Sequence, residues 1–164
     1  MSRFISVMAA LILAVFPPAF GQQAAKAAKA VEIIDPQFAD VVSPDAVLTE
    51  LTGDCQFTEG PVWIDSDGAE GYLLFSDIPA DRIYRWSKGA PITVWREPSG
   101  NSNGLLQDSG GQLLACEHGN RRVSVTKADG TVAILCDSFR GKKLNSPNDA
   151  AVGPDGSIWF TDPS

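Results

Sequence analysis

Residues 59–86 read EGPVWIDSDGAEGYLLFSDIPADRIYRW: a polar residue, an apolar run, an Asp/Gly turn, a second apolar run closing on an acid, and a third strand-like piece. The same order returns twice, in residues 103–125, NGLLQDSGGQLLACEHGNRRVSV, and residues 148–162, NDAAVGPDGSIWFTD. Glu59, Asn103 and Asn148 open the three segments at spacings of 44 and 45 residues, and Asp77, Glu117 and Asp162 close their second strands. An extra AEGY in the first segment lengthens its turn. Self-similarity at a fixed period of this size marks a repeat architecture.

Two further strand signals complete each full segment: RIYRW and ITVW in the first, RRVSV and VAIL in the second. Four short strands per 40 to 50 residues, joined by Gly/Asp turns such as DSGG and PDG, are the composition of a β-propeller blade. No helical period longer than a turn follows Pro36. A closed propeller needs about 4 to 8 blades. Residues 59–164 have room for two blades and half of a third, so the chain is expected to be part of a longer protein, with assembly between chains as the alternative.

Ahead of the repeats, residues 1–21 have the form of a secretory signal: Arg3, the apolar FISVMAALILAVF, and a small-residue site at Ala19-Phe20-Gly21. Cleavage after Gly21 predicts a periplasmic or secreted protein with no membrane attachment; an uncleaved anchor is the alternative. Residues 22–45 read as a linker and N-terminal segment. They hold the Ala/Lys run QQAAKAAKA and the strand-like VEII, and Pro36 and Pro44 interrupt the path to AVLTEL. The partial propeller is expected over residues 46–164.

With 13 Lys and Arg against 20 Asp and Glu, the net charge is −7. That balance argues against nucleic acid, whose phosphates need a basic surface. Cys55, Cys116 and Cys136 show no CxxC spacing, so neither a zinc site nor a disulfide framework is indicated. Cys116, inside an apolar run, reads as a buried free thiol.

In a propeller the innermost strand of every blade lines the central channel, so equivalent repeat positions form a ring. Glu59, Asn103 and Asn148 are thereby expected to converge. One carboxylate with neutral amide oxygens suits a hard cation such as Ca²⁺, Mg²⁺ or Mn²⁺, whereas zinc usually takes His and Cys; strand-end capping is the bland alternative. Because neighbouring strands are antiparallel, Asp77, Glu117, His118 and Asp162 should rim the same opening. His118, the only histidine, could bind substrate, shuttle a proton, or be a plain turn residue. Arg121 and Arg122 read as adjacent strand positions on opposite faces, and Asp149 as pointing away from the channel. Trp63, Trp86, Trp95 and Trp159 read as blade core. No GxSxG elbow, phosphate-cradling loop or Cys/His nucleophile pair is found.

Taken together and in order, FTEGPVW, LLFSDIPADRIYRW, SNGLLQDSGGQLLACEHGNRRV and LNSPNDAAVGPDGSIWFTDP resemble the senescence marker protein/gluconolactonase family, which includes regucalcin. Over about residues 46–164 the chain looks like the N-terminal half of a bacterial gluconolactonase. The resemblance implies an all-β, six-bladed propeller, of which this chain supplies about two and a half blades. It implies hydrolysis of a sugar lactone to an aldonic acid by one divalent cation, Ca²⁺ foremost, with Mg²⁺, Mn²⁺ or Zn²⁺ as alternatives. Glu59 and Asn148 match metal-site positions, and Asn103 and His118 match substrate-pocket positions. Ser146 stands where regucalcin-like members carry an arginine, so that sugar contact is not carried over. The general-base aspartate is expected beyond residue 164. Two rivals remain at this stage: another ester or phosphotriester hydrolase on the same scaffold, and a non-catalytic ligand-binding propeller.

Overall fold

A computed structural model of the protein describes residues 28–29, 34–43, 45–66 and 69–164. The expected signal over residues 1–21 and most of the Ala/Lys run lie outside the described residues. Within the N-terminal segment, β1 (Ala28–Lys29) pairs antiparallel with β2 (Val47–Leu48). Between them a short 3-10 helix, Pro36–Asp40, starts where the Asp35 carboxylate accepts from the Gln37 amide at 2.8 Å. Its capping residue followed by proline is a standard helix start.

The repeats fold as antiparallel meanders. The first sheet runs β3 (Thr58–Ser66), β4 (Ala69–Asp77), β5 (Arg82–Trp86) and β6 (Thr93–Arg96), in that spatial order. The second runs β7 (Ser102–Gln107), β8 (Leu113–Glu117), β9 (Arg122–Thr126) and β10 (Val132–Cys136). A small hairpin, β11 (Ser138–Phe139) and β12 (Lys142–Lys143), precedes the third unit, β13 (Ala150–Val152) paired with β14 (Ile158–Phe160). The units sit side by side through their first strands: β7 lies against β3 and β4, and β13 against β7.

Packing between sheets explains the burial. Ile64, Leu74 and Ile83 of the first sheet close on Leu105, Leu113 and Ala115 of the second, with Trp95 partly buried beside them. Complete burial of a side chain such as Leu74 or Ile83 stabilises by about 1.5–3 kcal/mol. β8 is buried at every position, LLACE: it lies between β7 and β9, and its Leu113 and Ala115 pack on the first sheet. Cys116 is 1 % exposed and unbridged, as its apolar run predicts.

Trp63 and Trp159 depart from the core assignment: they are 48 % and 70 % exposed. Alternation along β3 sends Val62 and Ile64 to the second sheet and Trp63 to the opposite face. On β14, Ile158 and Phe160 are half-buried while Trp159 takes the outward face. Each indole is held locally, Trp63 Nε1 donating to Asp65 at 3.1 Å and Trp159 Nε1 to Ser157 at 2.8 Å.

Candidate functional site

The three residues that open the repeats come from consecutive first strands, and the backbone brings them into one arc. Gly60, with φ +56°, follows Glu59, and a Cβ there would collide with the Asn103 carbonyl and lie 2.8 Å from the Gly104 Cα. A Cβ on Gly104 would lie 2.7 Å from the Asn148 carbonyl and 2.8 Å from the Asp149 Cα, and the Gly104 amide donates to that carbonyl at 2.8 Å. Glycine at both positions lets neighbouring strand mouths approach at backbone distance. The ladder register slips just after Glu59 in β3 and just after Ser102 in β7, and such bulges re-aim side chains at the strand mouth. A fully buried hydroxyl pair, Ser76 Oγ and Ser102 Oγ at 2.9 Å, ties the sheets together, and Ser76 also donates to the Asn103 carbonyl at 2.9 Å. Ser76 stands directly across the ladder from Glu59.

The acids that close the second strands sit at this end, yet they do not rim the opening as free groups. Asp77, 1 % exposed, accepts from the amides of Gln56 and Phe57 at 3.0 Å each. Asp162 accepts from the amides of Asn145 at 2.9 Å and Ser146 at 2.8 Å. Each thus clamps the residues three and two before the strand-opening residue of its own unit, Glu59 or Asn148. The middle unit is built differently. Its entry loop is held from the preceding sheet by Asp81, which accepts from the Ser99 amide at 3.0 Å and the Asn101 amide at 2.7 Å.

Glu117, freed from clamping, sits fully buried within donors: Arg96 from the first sheet, and Arg122 Nε at 2.6 Å, Asn120 Nδ2 at 2.6 Å and Ser124 Oγ from its own. Burial pushes this carboxyl up, but donation from Arg122, Ser124, Asn120 and Arg96 outweighs it and holds the group below the usual glutamate range. Arg122 is therefore engaged by Glu117. Arg121 is in the 118–121 turn at φ +56°, not in a strand, and its Nε donates to the Leu144 carbonyl at 2.6 Å. Asp149 accepts from the Ala150 amide and lies against Gly104, a structural role that matches its expected direction.

His118 and Asn103 meet. The imidazole Nε2 lies 3.4 Å from Asn103 Nδ2, and Asn103 is 9 % exposed. An amide NH₂ can only donate, so the contact is satisfied by the tautomer whose Nε2 accepts, and Asn103 Oδ1 is then turned from the ring. The Glu59 carboxylate is exposed and lines a cleft of about 420 Å³ with Cys55, Gln56 and Phe75. Among the described residues the side-chain oxygens of Glu59, Asn103 and Asn148 take no hydrogen bond or ion pair, and no three of His, Cys, Asp and Glu converge. A donor set of one carboxylate and amide oxygens, held by rigid backbone contacts and otherwise unengaged, fits a hard divalent cation better than zinc. The serine bridge and the Asp81 clamp have no sequence signal short of three-dimensional pairing, and the only signal for the Glu117 cluster and the Asp77 and Asp162 clamps is that the three acids recur at one repeat position.

Residues 57–164 match the family described as the SMP-30/Gluconolactonase/LRE-like region. The gluconolactonase of Zymomonas mobilis subsp. mobilis is 31 % identical over 140 residues, covering 76 % of this chain and 37 % of that protein. Regucalcin of Bos taurus is 31 % identical over 112 residues, covering 66 % and 35 % respectively. A solved gluconolactonase structure from Xanthomonas campestris superposes with a TM-score of 0.66 at 38 % identity, over 73 % of this chain and 39 % of that one. The chain thus spans little more than a third of each relative. The shared meander, its order of motifs and the family match over the whole repeat region make this chain a member of the SMP-30/gluconolactonase family.

Proposed function

We propose that the protein is a metal-dependent lactone hydrolase that opens a sugar lactone to its aldonic acid, exported to the periplasm or secreted. In this reading the chain supplies two and a half blades of a six-bladed propeller, and further blades pack on the faces that carry Trp63 and Trp159. The observation that supports it most is the arc of three strand mouths, where the side-chain oxygens of Glu59, Asn103 and Asn148 are unengaged among the described residues and Asn103 meets His118.

Glu59 and Asn148 hold the cation, Glu59 supplying the charge and Asn148 a neutral oxygen. A divalent cation bound there supplies polarisation of the lactone carbonyl and stabilisation of the oxyanion. Asn103 Oδ1, fixed by the contact of its amide nitrogen with His118, accepts from a sugar hydroxyl. Asp77 and Asp162 keep the two metal-holding residues in place through the entry-loop amides. The general base is an aspartate outside these residues.

Gluconolactone hydrolysis by the full-length protein, with and without chelator, tests the reading. Glu59→Gln should lower kcat/KM by about 100-fold with little change in melting temperature. Undiminished turnover, or faster turnover of a phosphotriester than of gluconolactone, would overturn it.

A further inference from the structure

The connection leading to Asn148 differs from its counterpart in the preceding repeat. Six residues, 97–102, lead from β6 to Asn103, whereas eleven, 137–147, lead from β10 to Asn148. The additional length forms the β11–β12 hairpin, Ser138 pairing with Lys143 and Phe139 with Lys142. Its two-residue turn puts Arg140 at φ +50° and Gly141 at φ +75°. Asn, Asp or Gly adopt the first of these positions at least cost, so an arginine is kept there against the backbone preference.

Strands alternate in direction through the second sheet, so β10 ends on the face where β7 and β13 begin, and the hairpin stands on that face. Its base is fixed: the Leu144 amide donates to the Asp137 carbonyl at 3.0 Å, Leu144 is 5 % exposed, and its carbonyl accepts from Arg121 Nε at 2.6 Å. Arg121 belongs to the same turn as His118. The hairpin is thus rooted between His118 and Asn148, and five residues of chain bring Lys143 within about 17 Å of Asn148. Arg140, Lys142 and Lys143 are exposed and form no ion pair among the described residues, and the Arg140 guanidinium lies over the Phe139 ring, 5.1 Å from its centroid. In a chain of net charge −7 they put three positive charges within four residues, Lys142 and Lys143 on opposite faces of the hairpin, against one acid, Asp137, at its base.

We propose that this hairpin is an anion-binding strap, and that the lactone the site serves carries a phosphate or carboxylate away from its ring carbonyl. The proposal rests on the lactone-hydrolase reading and names its substrate class. A neutral sugar lactone offers these cations no counter-charge, and the acidic remainder of the chain would repel an anionic one. A positive strap at the edge of the opening reverses that repulsion locally and raises the capture rate.

The test compares gluconolactone, its 6-phosphate and a monolactone of glucaric acid on the full chain, and on the variant Arg140→Gln/Lys142→Gln/Lys143→Gln. At low salt, kcat/KM for an anionic lactone should exceed that for the neutral one by about 10-fold or more. The advantage should fall to within about 2-fold in the variant and shrink with added salt, with turnover of the neutral lactone unchanged. Phosphate and glucarate arms show which anion is served. Equal turnover of neutral and anionic lactones, or an advantage that survives in the variant, overturns the proposal. Should no lactone be hydrolysed, the function reading fails by itself, and calorimetric titration with gluconate and 6-phosphogluconate still reads the hairpin. Tighter phosphate binding that the variant loses supports the strap; equal binding overturns it.

Discussion

Replacing Glu117 by Gln keeps the side chain's shape and removes its charge from between the ends of the first two sheets. Two guanidiniums then lose their counter-charge, those of Arg96, whose side chain is 11 % exposed, and Arg122, 25 % exposed. Breaking a buried pair by removing one partner costs about 3–5 kcal/mol, because the other charge is left without compensation. The glutamine oxygen still accepts one or two of the bonds, which places the loss near the lower end, about 3 kcal/mol. With an m-value of about 2 kcal/mol/M, the urea midpoint of the full chain at neutral pH falls by about 1.5 M. The pH dependence follows from the direction of the shift. Folding lowers this carboxyl's pKa, so its contribution is complete above the ordinary value of 4.5 and is lost as pH falls through the lower folded value. The deficit of Glu117→Gln against the parent therefore narrows in acid. Adding Arg96→Met to Glu117→Gln should return part of the loss, since one uncompensated charge goes with it. Equal midpoints at neutral pH, or a deficit constant down to pH 3, would refute this account of the cluster.

Asp77→Ala orphans the Gln56 and Phe57 amides and should cost about 2–3 kcal/mol in denaturant melts. The same variant should weaken Ca²⁺ or Mn²⁺ binding by calorimetry, because the loop that presents Glu59 is released; unchanged affinity would separate the clamp from the site. Gly104→Ala drives a methyl to within 2.7 Å of the Asn148 carbonyl and should destabilise by about 2 kcal/mol. A melting temperature matching the parent's would mean the two strand mouths are not in contact. Burial pushes the Cys116 thiol up to about 12, with Asp149 adding to the shift. At pH 8, mass-mapped labelling should therefore find Cys116 the last of the three thiols to react, and only upon unfolding. Labelling at the rate of Cys136 would contradict its burial.

Much of the fold could be read from repetition alone. RIYRW predicts β5 residue for residue, and VAIL falls within β10, since Gly/Asp turns bound each apolar run tightly. The side-by-side placement of Glu59, Asn103 and Asn148 was equally legible, because equivalent repeat positions must become neighbours when the units pack through their first strands. Two of the four tryptophans expected in the core are exposed in this chain for a reason that composition cannot reveal. Trp63 and Trp159 occupy the outward faces of the first and third units, and only the middle unit has a neighbour on both sides within this chain. Arg121 reads as strand because it adjoins the valines of RRVSV, whereas its amide closes the 118–121 turn on the His118 carbonyl at 3.2 Å and its side chain reaches a carbonyl 23 residues away. Likewise nothing local to Asp77 or Asp162 distinguishes a clamp from a rim carboxylate. The difference lies in which backbone amides the closing ladder delivers to them.

The Asp81 clamp makes the repeats unequal as building blocks. The first and third units each fasten their own leading loop, so either carries the means to present its inner strand wherever it is transplanted. The second borrows its fastening from upstream, through Ser99 and Asn101 bound to a carboxylate in another sheet. A circular permutation opened between the first and second units separates that loop from its holder in sequence, although not in space, and makes the middle unit's assembly wait on long-range docking. Opening the chain between the second and third units leaves all three carboxylate clamps local or already in place, at the expense of the Arg121 contact with Leu144, which makes that junction the better seam for shuffling or duplication.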